Sequence, residues 1–201
     1  MRNQSFISRL SNAARGARNV SGQVLVETMV ALSMTVIGLI GILMVLNTSI
    51  GLNRVITNQY IASYLASEGV ELAGYKLDTN VFSSQPYQTG IGNGSYVVTA
   101  GANGQQLTPS SQVIPKTPAA VLASSNALVY LAQDVSGNVT YVSSVGFPPS
   151  HASVTPYHRV VFVSAKSSDE MVVNSIVAWI TKGGVAMSVN VEDHFYNWRK
   201  P

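Results

Sequence analysis

Residues with the chemistry of a catalytic site are few in this chain and poorly placed for catalysis. The 201 residues include no cysteine, so thiolate metal sites, disulfides and cysteine nucleophiles are excluded. Four of the acids form the adjacent pairs Asp169-Glu170 and Glu192-Asp193, and neighbours on a strand point to opposite faces. No Gly-x-Ser-x-Gly motif is present. The three histidines, which lack the spacing of a zinc pair, are His151, His158 and His194. The sequence therefore predicts neither an enzyme nor a metal or cofactor site.

One acid, Glu27, stands out by its surroundings. It lies in an apolar run, and no charged residue occurs between Thr28 and Asn53. We predict a transmembrane helix over Val24–Leu46, a length close to the ~20 residues that span a bilayer. An unpaired carboxylate costs ~2.5–3.5 kcal/mol at the centre of such a helix and less near its edge. Glu27 therefore either reaches the lipid headgroups from one turn inside the helix or pairs with a positive group at the same depth, such as a chain-end amine.

The positive charge of the chain is concentrated before this helix. Residues 1–22 hold four arginines and no acid, namely Arg2, Arg9, Arg15 and Arg18. The rest carries eight basic and nine acidic residues, a net charge of −1. This asymmetry predicts a cytoplasmic N-terminus and an extracytoplasmic remainder. The other basic residues are scattered, which argues against nucleic acid as a partner. A cleaved secretory signal fits less well, because its apolar region spans only about 7–15 residues and ends at a small-x-small site.

The segment around Glu27 resembles a known family. Ser21-Gly22 followed by Gln23-Val24-Leu25-Val26-Glu27 and an apolar helix is similar to the N-terminus of type IV prepilins, which pilins share with the pseudopilins of type II secretion. The resemblance implies that Gly22 ends a leader, that prepilin peptidase cuts between Gly22 and Gln23 and methylates the new amine of Gln23, and that Glu27 is the assembly carboxylate. A cationic amine and a buried carboxylate on neighbouring subunits would neutralise each other in a medium of low dielectric.

The resemblance also implies partners and a location. The partners would be prepilin peptidase, other pilin or pseudopilin subunits, an inner-membrane assembly platform with its ATPase, and membrane lipid before assembly. The protein would start as a single-pass protein of the inner membrane and reach the cell surface in a filament, most simply as a minor subunit. Two alternatives stay open: a permanently anchored extracytoplasmic module for binding or adhesion, and a DNA-uptake filament component.

The helix should continue beyond the membrane. Residues 47–78 contain no proline and place Ile61, Leu65, Leu72 and Tyr75 on one face. Gly51, Gly69 and Gly74 argue against continuity locally, and Gly38 and Gly41 suit an ordinary membrane helix. We expect this extracytoplasmic continuation to end near Asp78.

Residues 79–201 should form an antiparallel β-sheet domain covered by the outer part of the helix. We expect residues 79–126 to be loops around one strand, Tyr96 to Ala100, with Gly90 to Gly94 as a turn. A hairpin is predicted over Ala127–Ala132 and Val139–Val142, with its turn at residues 134–138. Further strands are predicted over Arg159–Ala165, Met171–Thr181 and Val185–Val191. The fold class is thus α+β, a long N-terminal helix whose second half packs on an antiparallel sheet, as in pilins.

The chain closes on an aromatic and basic run, residues 195–200. These aromatic residues are expected to close the core at the last strand, with Arg199 and Lys200 in solvent. The alternative is a recognition edge or a stacking site for nucleic acid.

Overall fold

The structure is a computed structural model that describes residues 4–101, 104–133, 139–143 and 152–198, with side chains from Gly22 onward. The chain divides into two compact units, Met1–Arg54 and Val55–Pro201. The α+β class is confirmed, with one long N-terminal helix and a seven-stranded antiparallel sheet in the described part of the chain. The helices are α1, Gln4–Phe82, and α2, Pro118–Ala123, and the strands are β1, Gly94–Gly101; β2, Gly104–Pro109; β3, Leu128–Gln133; β4, Val139–Ser143; β5, Ala152–Ala165; β6, Glu170–Ile180; and β7, Ala186–Tyr196.

Helix α1 is longer than the sequence predicted. It runs to Phe82 instead of ending near Asp78, because the first strong stop is the turn before Pro86. Ser84 adopts a left-handed φ of 55°, and two backbone bonds close the helix end: Ser84 N donates to Val81 O at 3.2 Å and Gln85 N to Asn80 O at 2.8 Å. This is a Schellman cap with serine at the position that glycine usually takes.

Strand β5 organises the sheet. It pairs with β6 from Tyr157 to Ala165, and β6 pairs in turn with β7. On its other side β5 pairs with β3 through its first half and with β1 through its last residues. The hairpin of β3 and β4 is confirmed, whereas its turn at residues 134–138 lies outside the described residues. Strand β5 begins seven residues before the predicted start, at Ala152 instead of Arg159.

The outer part of α1 packs on one face of the sheet, as predicted. Its buried positions follow helical spacing and contact alternate residues of β5 and β6; they are Ala62, Leu65, Ala66, Val70, Ala73 and Leu77. Ile61 and Leu72 are partly buried beside them, but the prediction for Tyr75 is wrong, since it is 72% exposed. On β7 the alternation of Met187, Val189 and Val191 faces this core, as expected, while Val185 precedes the strand and is exposed.

The opposite face of the sheet is covered by helix α2, which lies in a region that the sequence predicted to be loop. Residues 79–126, where only one strand was expected, hold this helix and strand β2 in addition to β1. Helix α2 starts with Pro118 in its first turn, and the Thr117 hydroxyl accepts a bond from Ala120 N at 3.3 Å. Its Val121 is fully buried against a cluster that includes Val160 and Ile176. A capping Thr-Pro pair was therefore the missed helix signal.

The C-terminal aromatic residues do not all close the core. Phe195 packs against the cluster under α1, whereas Tyr196 is 57% and Trp198 74% exposed. The prediction that these aromatic residues complete the core is thus correct for Phe195 and wrong for the other two. Arg199 and Lys200 lie outside the described residues.

Candidate functional site: an exposed apolar helix with one acid

The N-terminal unit presents its apolar side chains on every side of α1. All described side chains from Gly22 to Thr57 are exposed, and the large apolar ones are between 38% (Val55) and 70% (Met34) exposed. The part of α1 from Gly22 onward contains a window of mean hydropathy 2.6, so it is long and apolar enough to cross a membrane. A helix that is apolar all round needs an apolar surrounding, either lipid or other helices.

Four hydroxyl groups in this apolar surface are satisfied within the helix. Thr28 Oγ1 donates to Leu25 O at 2.9 Å, and Ser33 Oγ donates to Met29 O at 2.7 Å. Thr35 and Thr48 make equivalent bonds to the carbonyls four residues earlier. Polar groups paired inside their own helix can enter hydrocarbon without leaving an unmade donor bond. These residues were not predicted from the sequence, although a serine or threonine inside a helix can bond to the carbonyl three or four residues before it.

Glu27 is the acid of this surface. Between Gly22 and Ser67 the charged residues are Glu27 and Arg54. The Glu27 side chain is exposed, and no ion pair of Glu27 is formed among the described residues. Gln23 lies one helical turn before it, and side chains four residues apart share a face. Gly22, Gln23 and Glu27 thus lie in the first two turns of the part of α1 whose side chains are described.

The peptide bond between Gly22 and Gln23 is helical, because α1 runs without a break from Gln4. Gly22 makes this turn easier to open, because glycine lowers the cost of leaving the helix by roughly 1 kcal/mol relative to alanine. A Cβ atom built on Gly22 meets no atom within 4 Å. The side chains of Arg2, Arg9, Arg15 and Arg18 lie outside the described residues.

The glycines of α1 lie in two kinds of environment. Gly38, Gly41 and Gly51 face open space, with nothing within 4 Å of an added Cβ. Gly69 instead lies against the sheet, where an added Cβ would come within 2.6 Å of Ser175 Oγ, and Gly74 lies against the Phe195 ring. The last two glycines therefore do not interrupt the helix; they let it approach the sheet closely.

An ion pair with one buried partner joins α1 to the sheet, and it was not predicted from the sequence. Arg159 of β5 is fully buried and pairs with Glu68 of α1. Its guanidinium also donates to Leu65 O at 3.1 Å and to Tyr141 O of β4 at 3.2 Å, while its Nε has no partner among the described residues. Burial lowers the pKa of Arg159, and Glu68 opposes that shift. The one signal in the sequence was an arginine inside an apolar strand.

The two described histidines have opposite environments. His158 is half-buried with Nδ1 3.2 Å from Ser124 O, and burial lowers its pKa. His194 on β7 lies between two carboxylates: its Nδ1 is 2.9 Å from Glu170 Oε1 and its Nε2 is 3.6 Å from Glu192 Oε1. The hydrogen bond to Glu170 raises the pKa of His194. His151 lies outside the described residues. Within the described ranges, no group of three or more His, Asp or Glu side chains is placed to hold a metal ion.

Comparison of the chain with protein-family models, curated proteins and solved structures found no match. Its function must therefore be argued from the residues themselves.

Proposed function

We propose that the chain is a structural subunit of a type IV pilus or of a type II secretion-like filament, a minor pilin or pseudopilin. The observation that carries the proposal is the apolar, exposed surface of α1, which has a lone carboxylate, Glu27, five residues after Gly22. A second observation agrees with it. The outer part of the same helix is packed on an antiparallel sheet, so a helix held in a filament would carry a folded domain with it.

Assembly would proceed from the membrane. The chain inserts into the inner membrane with its basic leader in the cytoplasm, and prepilin peptidase removes residues 1–22 and methylates Gln23. The platform and its ATPase then move the helix from lipid into a bundle of equivalent helices, which covers the same apolar side chains. In that bundle the Glu27 carboxylate of one subunit pairs with the cationic amine of another, because an unpaired carboxylate in such a medium is costly. The pair selects one axial register.

The processing step is tested by mass spectrometry of the N-terminus after coexpression with an active prepilin peptidase. We expect a mature chain that starts at a methylated Gln23. The Gly22→Leu variant should stay uncut, and Gly51→Leu is the matched control, since both positions face open space and neither change disturbs packing within the chain. A mature chain that starts at any other residue, or an uncut full-length chain, contradicts the pilin proposal.

The assembly step is tested at Glu27. We expect Glu27→Gln to be cut after Gly22 but to be lost from isolated filaments, while Glu71→Gln, an exposed acid on the outer part of α1, assembles like the wild type. Filament content is measured by immunoblot of sheared filaments against the membrane fraction. Equal incorporation of Glu27→Gln would refute the charge-pairing step and leave the processing step standing.

A permanently anchored extracytoplasmic binding or adhesion module is the second candidate. The unbroken helix through Gly22 is the observation that favours it, since an uncut anchor has that form. It predicts that the full-length chain persists in the membrane when prepilin peptidase is active. A role in DNA uptake receives no support from charge, because the folded domain lacks a cluster of basic residues in its sequence.

A further inference from the structure

A groove of about 350 Å³ lies between one side of α1 and strand β2, within the C-terminal unit. Its volume falls in the range of small-molecule sites in proteins. Neither candidate function makes use of it. The lining residues that could meet a ligand are Leu72, Tyr75, Lys76, Thr79, Gln105 and Gln106.

Lys76 is the charged residue of this groove. Its side chain is half-buried, and it forms no ion pair with the described residues. Its Nζ lies 3.6 Å from the place that a Cβ on Gly90 would take. The nearest acids along α1, Glu71 and Asp78, are exposed and stand roughly half a turn away around the helix. The connection between β1 and β2, residues 102–103, is Ala-Asn and adds no charge. An ammonium group that has lost part of its water without gaining a partner favours an anion in the groove.

The turn at the end of the groove is held by hydrogen bonds. Buried Asn80 of α1 donates through Nδ2 to Tyr87 O at 3.0 Å and to Thr89 O at 2.8 Å. At the other end of the turn, the hydroxyl of buried Tyr96 accepts a bond from Gly92 N at 2.8 Å. A ligand therefore does not have to order this turn, which lowers the entropic cost of binding.

The uncharged lining groups indicate what kind of anion fits. Tyr75 is 72% exposed, and an exposed ring can pack on the apolar C–H face of a sugar. Gln106 is exposed as well, and its amide can both donate to and accept from sugar hydroxyls. A ring contact, an amide and the ammonium group of Lys76 together suit a sugar that carries a carboxylate.

Two further polar groups are oriented by bonds within the chain. Thr79 Oγ1 donates to Tyr75 O at 2.7 Å, and Gln105 Nε2 donates to Tyr141 O at 2.8 Å. Each side chain keeps an oxygen that can accept a bond from a sugar hydroxyl. The groove thus combines fixed acceptors with one cation and one exposed ring.

We propose that this groove binds a uronic acid, either free or as a residue of a polysaccharide. Lys76 pairs with the carboxylate, Tyr75 packs on the ring, and the amides and Thr79 bond to the hydroxyls. The proposal is independent of the filament function, since an uncut anchored chain would carry the same groove. Its failure would therefore leave the processing and assembly tests unaffected.

The test uses the full chain in micelles of octaethylene glycol dodecyl ether, because that detergent carries neither sugar nor charge. Galacturonate and glucuronate are titrated, and binding is followed by saturation-transfer NMR of their ring protons. We expect at least one of them to bind saturably and its neutral methyl ester to bind about two- to fivefold more weakly, as expected for one partly exposed ion pair. No saturable binding of either uronate, equal binding of the ester, or equal competition by acetate overturns the proposal.

Matched variants locate the binding. Lys76→Gln should weaken uronate binding about two- to fivefold, whereas Lys182→Gln, at an exposed lysine in the turn between β6 and β7, should not. Tyr75→Leu should weaken binding about threefold or more, whereas Tyr64→Leu, at a ring 62% exposed on the same helix but outside the groove, should not. The near-ultraviolet circular dichroism of buried Trp179 checks that each variant is folded. An unchanged affinity of Lys76→Gln, or equal losses in the control variants, places the binding elsewhere and refutes the site.

A trisaccharide separates the two sources of the ligand. If the groove takes a residue of a polysaccharide, trigalacturonate displaces the bound uronate. If it takes only the free acid, trigalacturonate does not compete. Displacement by maltotriose, which has no carboxylate, would contradict both forms of the proposal.

Discussion

Removing one partner of the ion pair between Arg159 and Glu68 should destabilise the chain more than removing the other. The Arg159 side chain is 0% exposed and that of Glu68 is 32% exposed. Glu68→Ala therefore leaves a guanidinium charge in the core that water cannot reach, and we expect a loss of about 3–5 kcal/mol in the free energy of unfolding. Arg159→Met leaves a carboxylate that water can reach, and methionine can fill much of the vacated space. Tyr141 O keeps a donor, Gln105 Nε2 at 2.8 Å. The cost of Arg159→Met should be about 1–2 kcal/mol.

The assay is thermal unfolding of the full chain in micelles, followed by the near-ultraviolet circular dichroism of the buried Trp179. For a unit of this size, 1 kcal/mol corresponds to about 2–4 °C, so Glu68→Ala should lower the Tm by roughly 6–20 °C. The double variant Glu68→Ala with Arg159→Met should resemble Arg159→Met alone, since removing the arginine removes the reason for the larger loss. If Arg159→Met is the costlier single change, or if the two losses simply add, solvent access to the remaining charge does not control the energetics and the reasoning is wrong.

Two further predictions concern close packing and pH. Gly69→Ala should destabilise the chain by about 1–3 kcal/mol because its Cβ meets Ser175 and Val161, whereas Gly51→Ala should be neutral or stabilising by up to about 1 kcal/mol; denaturant unfolding measures both. In an NMR titration His158 should ionise below pH 6.5 and His194 above it. His158 thus favours folding above pH 6.5 and loses that contribution as the pH falls, whereas the contribution of His194 is complete below pH 6.5 and is lost as the pH rises through its raised pKa. Glu170→Gln should lower the pKa of His194 and leave that of His158 unchanged.

The elements that the sequence predicts best are those with a strong period. The apolar run of α1, the largely apolar run of β6 and the alternation in β7 each depend on local burial, and the structure confirms the helix, both strands and their antiparallel order. The boundaries of the helices and strands were predicted less accurately than their type. Helix α1 passes Asp78 because residues 79–82 contain no stop signal, and β5 starts early at Ala152 because pairing with β3 extends it into a polar stretch.

Features that depend on distant partners were not predictable. Arg159 counted as one more scattered basic residue, since Glu68 is ninety-one positions away along the chain. The sequence of α1 showed glycines but not that Gly69 faces Ser175 of β6. By contrast, Gly22, Gln23 and Glu27 were found because their relation is local, but their proposed roles stay predictions until the N-terminus is measured.

The close contacts of Gly69 and Gly74 bear on how the molecule transmits force. A slide of α1 by one turn along the sheet would bring larger side chains to Ser175 and Phe195, where only glycine fits, and would also break the bond of Arg159 to Glu68. Sliding of the helix along its axis therefore has to disrupt all of these contacts. The part of the helix from Val55 to Phe82 is thus fixed in one axial position on its sheet. Tension applied to this helix would be passed to the sheet before the helix slides.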